Sequence, residues 1–341
     1  MPKKKKISAD IAQSLNGSGG SSNRTNKKNK NKNANPLLKQ QKEFLESLST
    51  KVKQNFFCES SVDASIRADI WSRQAELGEG LVNKYSWASP DERCANILKH
   101  FGKMQSNKNS KKSGGIVEIG CGAPAYWARM MFRNDINIMA FDWSLGDGGR
   151  ISDAEKEGGS KYARSSGKSS KKRARQLDKK TFDDGFVIYR GGPEVLSMNK
   201  DLHNRVLFLC YPDEDVMDME GSESSMGAAC LENFKGDTII HVGELFGDTP
   251  SMDQAPFGRS SGPEFQQRLA AEYHCILRAK LTNWLHVNDT ISVWKRTELC
   301  SIVFQGEEED DESDDEVQYR HIPKDEKLPS DVAAPCCKHL L

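Results

Sequence analysis

From residue 35 the apolar positions first recur every three or four residues, then change to short contiguous runs separated by glycine and polar turns. The segment NPLLKQQKEFLESLSTKVKQNFF (35–57) predicts a helix. Leu45, Leu48, Val52 and Phe56 share one face, Asn35 suits the cap and Pro36 the first helical position. A second helix is predicted over Val62 to Val82, with Ile66, Ile70, Leu77 and Leu81 on one side. In KYSWASPDERCANILKHFGK (84–103), Ser89 and Glu92 form a capping-box pattern with Pro90 at the first helical position. Cys94, Ile97, Leu98 and Phe101 face inward.

Beyond residue 113 strands and helices alternate. GIVEIG (115–120), INIMAFD (136–142), GFVIY (185–189), RVLFLCYP (205–212) and DTIIHVGE (237–244) read as strands. YWARMMFR (126–133) and PEFQQRLAAEY (263–273) read as helices. HCILRAKL (274–281) and TISVWKR (290–296), linked by the turn-like HVND, close the series as an antiparallel pair. The expected fold is α/β: a doubly wound, mostly parallel seven-stranded sheet with a C-terminal antiparallel hairpin and an N-terminal helical extension. The expected organisation is a disordered basic tail (1–36), the helical extension (37–112), the core (113–298) and an acidic disordered tail (305–341). Residues 146–181, rich in Gly, Ser, Lys and Arg without apolar period, read as a flexible basic insertion in the core.

Charge sharpens this division. The 341 residues have zero net charge, but residues 1–36 carry nine Lys/Arg against the single acid Asp10. Glu307 to Glu316 is nine acids interrupted only by Ser313, a candidate phosphorylation site. The nine cysteines show no CxxC or zinc-finger spacing and read as reduced thiols of an intracellular protein, cytoplasmic or nuclear. No metal-ligand constellation appears, and no apolar run approaches the ~20 residues that a membrane helix needs. MPKKKKIS and KKRAR resemble nuclear-import signals, and the basic runs suit phosphate contacts. Tyr162 is the only aromatic residue in 146–181, which leaves base stacking little to work with there.

The candidate chemistry centres on VEIGCGAPAYW (117–127). Gly120 and Gly122 let the backbone turn tightly and approach a ligand, and the following helix start offers free N–H groups. Asp142 ends the next strand 22 residues after Gly120, where a carboxylate can hold both hydroxyls of a ribose. The residues so far suit either NAD or S-adenosylmethionine. Glu118 lies within reach of a methionine ammonium, and Pro124 removes an N–H from a turn that would otherwise cradle a pyrophosphate.

With VEIGCG, then AFD at the next strand end, then the closing hairpin, residues 114–296 resemble class I S-adenosylmethionine-dependent methyltransferases. YSWASP (85–90), EIGCGAPAYWA, GGPEVL (191–196), LCYP (209–212) and VGE (242–244) are similar to phrases of a methyltransferase-like family. The resemblance implies S-adenosylmethionine as cofactor, with Glu118, Gly120 and Gly122 at its methionine part and Asp142 at the ribose. It places Gly191 and Gly192 near the adenine, and Tyr85 and Trp87 over the mouth. GAPAYW departs from the G-x-G-Y-W of many members by what reads as one extra residue.

At the strand ends beyond, Tyr211 offers a ring and Asp213 a carboxylate to an unidentified methyl acceptor, and Glu244 reaches the same rim. Packing of Tyr211 and a solvated turn at Asp213 is the alternative there. His241, inside its strand, reads as a satisfied core histidine. Two other functions stay open: a catalytically degenerate scaffold, and a nonspecific nucleic-acid-binding protein using its basic segments.

Overall fold

The computed structural model describes residues 35–56, 58, 60–104, 114–145, 178–213, 225–245, 260–285, 287–303, 316–321 and 332. Four helices come first: α1 (Pro36–Glu46), α2 (Thr50–Asn55), α3 (Ala64–Lys84) and α4 (Glu92–Met104). The first expected helix is broken in two. Ser47 bonds back to the end of α1, and Ser49 starts α2 with its hydroxyl accepting the Val52 N–H. Asn35 caps α1 by accepting the Leu38 N–H at 3.0 Å.

The main sheet contains β1 (Ile116–Ile119), β2 (Ile138–Asp142), β3 (Lys179–Thr181), β4 (Val187–Arg190), β5 (Val206–Cys210), β6 (Thr238–Gly243), β7 (Tyr273–Lys280) and β8 (Thr290–Arg296). Their order is β3-β4-β2-β1-β5-β6-β8-β7. β4, β2, β1, β5 and β6 run parallel, whereas β7–β8 is the antiparallel hairpin. Helices α5 (Tyr126–Arg133), α6 (Glu194–Met198), α7 (Met226–Asn233) and α8 (Pro263–Glu272) fill the connections.

The sheet has eight strands, one more than the pattern predicts. The extra one, β3, pairs antiparallel with β4 and occupies the end of the stretch read as flexible insertion. Its three residues are all exposed, so no apolar alternation marked it. A second difference lies in the acidic tail. β9 (Glu298–Val303) and β10 (Glu316–His321) pair antiparallel, Glu298 opposite His321, as a separate two-stranded sheet. Residues 1–34, 146–177 and the acidic run up to 315 lie outside the described residues, as do Ser313 and the Cys336–Cys337 pair. Among the described residues no helix is long and apolar enough to cross a membrane.

Alternation along the central strands builds two apolar layers. Ile116, Val206, Phe208, Ile240 and Val242 face α4 and α5, meeting Ile97, Leu98, Phe101, Trp127 and Met131. Val117, Ile119, Leu207, Leu209 and Ile239 face the other way, onto Leu196, Cys230, Leu231, Phe265 and Leu269. Val332 joins the first layer at 2% exposure, and its carbonyl accepts from Arg93 at 3.2 Å.

The chain runs outward from β1 through β2 to β4, then returns to the other side of β1 to form β5 and β6. Strand order therefore reverses at β1, and a crevice opens beyond the carboxyl ends of β1 and β5. Phe208 is fully buried beneath it. Phe208→Ala is expected to cost about 3–5 kcal/mol in urea unfolding. Met198→Ala, at a residue 56% exposed, is expected to stay within about 0.5 kcal/mol of the parent.

Candidate functional site

The glycine turn leaves β1 with Gly120 at φ 73° and Gly122 at φ 67°, in the left-handed region where glycine meets no Cβ penalty. The Gly120 N–H donates to the Phe141 carbonyl at 2.9 Å, and the Gly122 N–H to Asp142 Oδ2 at 2.7 Å. The turn is thus pinned to the end of β2. Ala125 follows at φ 46°, ψ 46°, immediately before Tyr126 and Trp127. The conformation costs an alanine about 1–2 kcal/mol. A tight turn leads into it, in which the Ala125 N–H bonds to the Gly122 carbonyl at 3.1 Å.

Ala125 has no side chain with which to cap α5. The buried Glu118 of β1 does so instead, accepting the Ala128 N–H. Its other oxygen, Oε2, is buried without a hydrogen-bond partner among the described residues. Burial first, then the nearby charge of Asp142, pushes the Glu118 carboxyl up to about 8. Asp142 accepts with both oxygens: Oδ1 from the Ser144 N–H and hydroxyl, Oδ2 from Gly122.

Beyond this turn lies a cavity of about 430 Å³, within the ~300–1,000 Å³ usual for ligand sites. Glu118, Gly120, Gly122, Asp142, Tyr85, Trp87, Tyr211 and Asp213 all line it, so the fold gathers most of the residues named from sequence. No Lys, Arg or His is among the described lining residues. Gly191, Gly192 and Glu244 are placed elsewhere. The Gly191 N–H bonds to the Asp142 carbonyl at 3.2 Å, which sets the 191–192 turn alongside β2 rather than in the cavity wall. Glu244 is buried at 2% exposure beyond the end of β6.

Tyr211 sits just past β5 at φ 51°, a sparsely populated conformation for a bulky residue and a mark of local strain. Two contacts hold it there. Its hydroxyl donates to both oxygens of Asp289, at 2.7 and 2.8 Å, and its ring stacks on Trp87 with centroids 5.8 Å apart. Burial holds the Tyr211 hydroxyl well above its ordinary range, with the Asp289 charge adding to it. Asp289 is itself pushed up to about 7 by burial, and Glu244 adds to that shift.

Asp213 is no solvated turn residue. It is 1% exposed and accepts the Gly227 N–H at 2.9 Å, the Ser225 hydroxyl at 2.8 Å and the Gly262 N–H at 3.0 Å. These bonds join the end of β5 to the starts of α7 and α8. His241 is a core residue, but not a satisfied one: neither ring nitrogen has a partner among the described residues. Burial lowers it to about 3, so it stays neutral.

Three residues of the site were not singled out from sequence. Asp289 lay in the HVND turn and reaches Tyr211 only because β8 starts beside the end of β6, the neighbour of β5. Met226 begins α7, and its methyl group lies 2.7 Å from where a Cβ on Gly120 would stand. Asn35 accepts the hydroxyl of the cavity residue Tyr126 at 2.7 Å and donates to the Pro90 carbonyl. Its helix-cap signal was legible, whereas this cross-link was not.

No protein-family model matches this chain, and no curated protein matches it. Among the described residues no group of three or more His, Cys, Asp or Glu could hold a metal ion.

Glu118 predicts a pH signature. From its ordinary 4.5 up to about 8, the folded protein keeps a proton that the unfolded chain has released. Its contribution to stability is therefore whole below about pH 4.5 and is lost as pH rises towards 8. Urea midpoints across that range should show Glu118→Gln overtaking the parent at the alkaline end.

Proposed function

We propose that the chain is a methyltransferase that uses S-adenosylmethionine on an acceptor still to be identified. The observation that carries this reading is the buried Oε2 of Glu118, without a partner among the described residues, beside a left-handed glycine turn at the point where strand order reverses. A carboxylate with a spare oxygen, in a cavity with no cationic side chain among the described lining residues, favours an ammonium group, such as that of a methionine moiety. The flanking glycines leave room for backbone approach, and Asp142 ends the neighbouring strand where a ribose would lie. Its two oxygens already accept protein hydrogen bonds but keep lone pairs for further donors. The residues present therefore fit the donor.

The donor, when bound, supplies an activated methyl group on a sulfonium. The task left to the protein is alignment and exclusion of water. Glu118 holds the ammonium and Asp142 the ribose hydroxyls. Tyr85 and Trp87 close the mouth. Tyr211 presents its ring to the acceptor, Asp213 fixes the loop that carries it, and Glu244 sets the charge behind Asp289.

The test is calorimetric titration with S-adenosylhomocysteine, with NAD in parallel. Micromolar binding of the first alone is expected. Glu118→Gln should weaken it about tenfold or more, the scale of a charge-assisted hydrogen bond. Asp142→Asn should do likewise, each in a protein of unchanged circular dichroism. Equal affinity in a folded Glu118→Gln variant, or no binding by the parent, would sink the assignment.

A further inference from the structure

The basic segments carry almost no aromatic rings on which a base could stack. The described fold exposes a large ring at the end of β2. Trp143 follows Asp142 at the carboxyl end of β2 and is 66% exposed. The Arg190 guanidinium lies 6.0 Å from its ring centroid, and the indole borders Gly192, where a Cβ would stand 3.5 Å from it. An exposed tryptophan alone is unremarkable. This one has the exposed Arg190 beside it, and β3, which pairs with β4, carries the exposed Lys179 and Lys180. Lys180 Nζ donates to the Ala123 carbonyl at 3.0 Å, which fixes the edge of β3 against the glycine turn of the cavity.

The sequence between β2 and β3 is basic. The chain leaves the described fold after Leu145, two residues beyond Trp143, and rejoins it at Asp178. Residues 161–180 hold nine Lys/Arg against the single acid Asp178. The nine basic residues of the N-terminal stretch precede Asn35, which bonds to Tyr126 in the cavity wall. Leu145 and Asp178 both lie at the rim formed by the carboxyl ends of β2 and β4.

We infer that this rim, with Trp143, Arg190, Lys179 and Lys180, binds single-stranded nucleic acid. A base stacks on the Trp143 indole, and flanking phosphates contact the three cations. Single strands fit because a duplex hides the faces of its bases. Arg190 also lies 3.6 Å from Asp178, an exposed pair that a phosphate can displace at little cost. The surface adjoins Asp142, so the donor and the oligonucleotide are titrated side by side.

The experiment is fluorescence anisotropy of a dye-labelled oligouridylate with the full chain over a range of salt, beside titration with S-adenosylhomocysteine. Trp143→Ala is expected to weaken the oligonucleotide roughly tenfold at fixed salt, with the salt slope unchanged. A Lys179→Gln, Arg190→Gln double variant should lower the slope of log affinity against log salt by about 1.4, two phosphate contacts' worth. Oligonucleotide affinity indifferent to both variants, or absent in the parent, would overturn the inference. So would a duplex that binds as tightly as the single strand. Trp143→Ala weakening S-adenosylhomocysteine but not the oligonucleotide would make Trp143 an adenine contact and refute the docking surface. Failure of S-adenosylhomocysteine to bind the parent would count against the donor reading alone.

Discussion

The hydrogen bond from the Gly122 N–H to Asp142 Oδ2 is the constraint on which the site is built. It ties the turn after β1 to the end of β2 while Gly120 and Gly122 occupy conformations that a free chain would seldom keep. From that fixed turn the chain has one tight way into α5, through a left-handed Ala125. The axis of α5 then brings its first N–H groups over Glu118, which caps the helix from the adjoining strand. One carboxylate thus arranges the turn, the helix and the orientation of a second carboxylate.

The second constraint is electrostatic. Glu118 lines a cavity whose described wall holds no cation, and Asp289 lies buried behind Tyr211. Charging either group in the folded protein works against its burial, which is why both are displaced towards neutral pH. Such a site stabilises a cation brought in from outside more than an anion, because the cation relieves a desolvated carboxylate. The aromatic walls, Trp87 against Tyr211 and Tyr85 against Tyr126 at 5.3 Å, suit the same kind of guest.

Much of this was legible in the sequence, for identifiable reasons. Parallel central strands are buried on both faces, so VLFLC and TIIHV stand out as apolar runs, and the glycines at 120 and 122 mark the turn between β1 and α5. β3 was not legible because KKT buries nothing; it exists through pairing with β4. β10 left a trace, since Val317 and Tyr319 alternate with polar residues, but the acidic run before it masked that pattern. Tyr211 could be named as a site residue, yet neither its left-handed backbone nor its bond to Asp289 could. Those depend on a hairpin contributed 78 residues later. Gly191 and Gly192 could be recognised as a turn, but their place alongside the end of β2 follows from how β4 pairs with it.

Asn35 links parts of the molecule that are far apart in sequence. Its side chain caps α1, accepts the Tyr126 hydroxyl and reaches the Pro90 carbonyl. Any guest that pushes Tyr126 aside takes away one of the bonds that hold Asn35 in place, and with it part of the support for the first turn of α1. Fraying of that turn frees Tyr126 in return. Widening of the mouth at Tyr126 and loosening of the first turn of α1 are therefore coupled through one side chain, so a change in the cavity is felt where the amino-terminal helix begins.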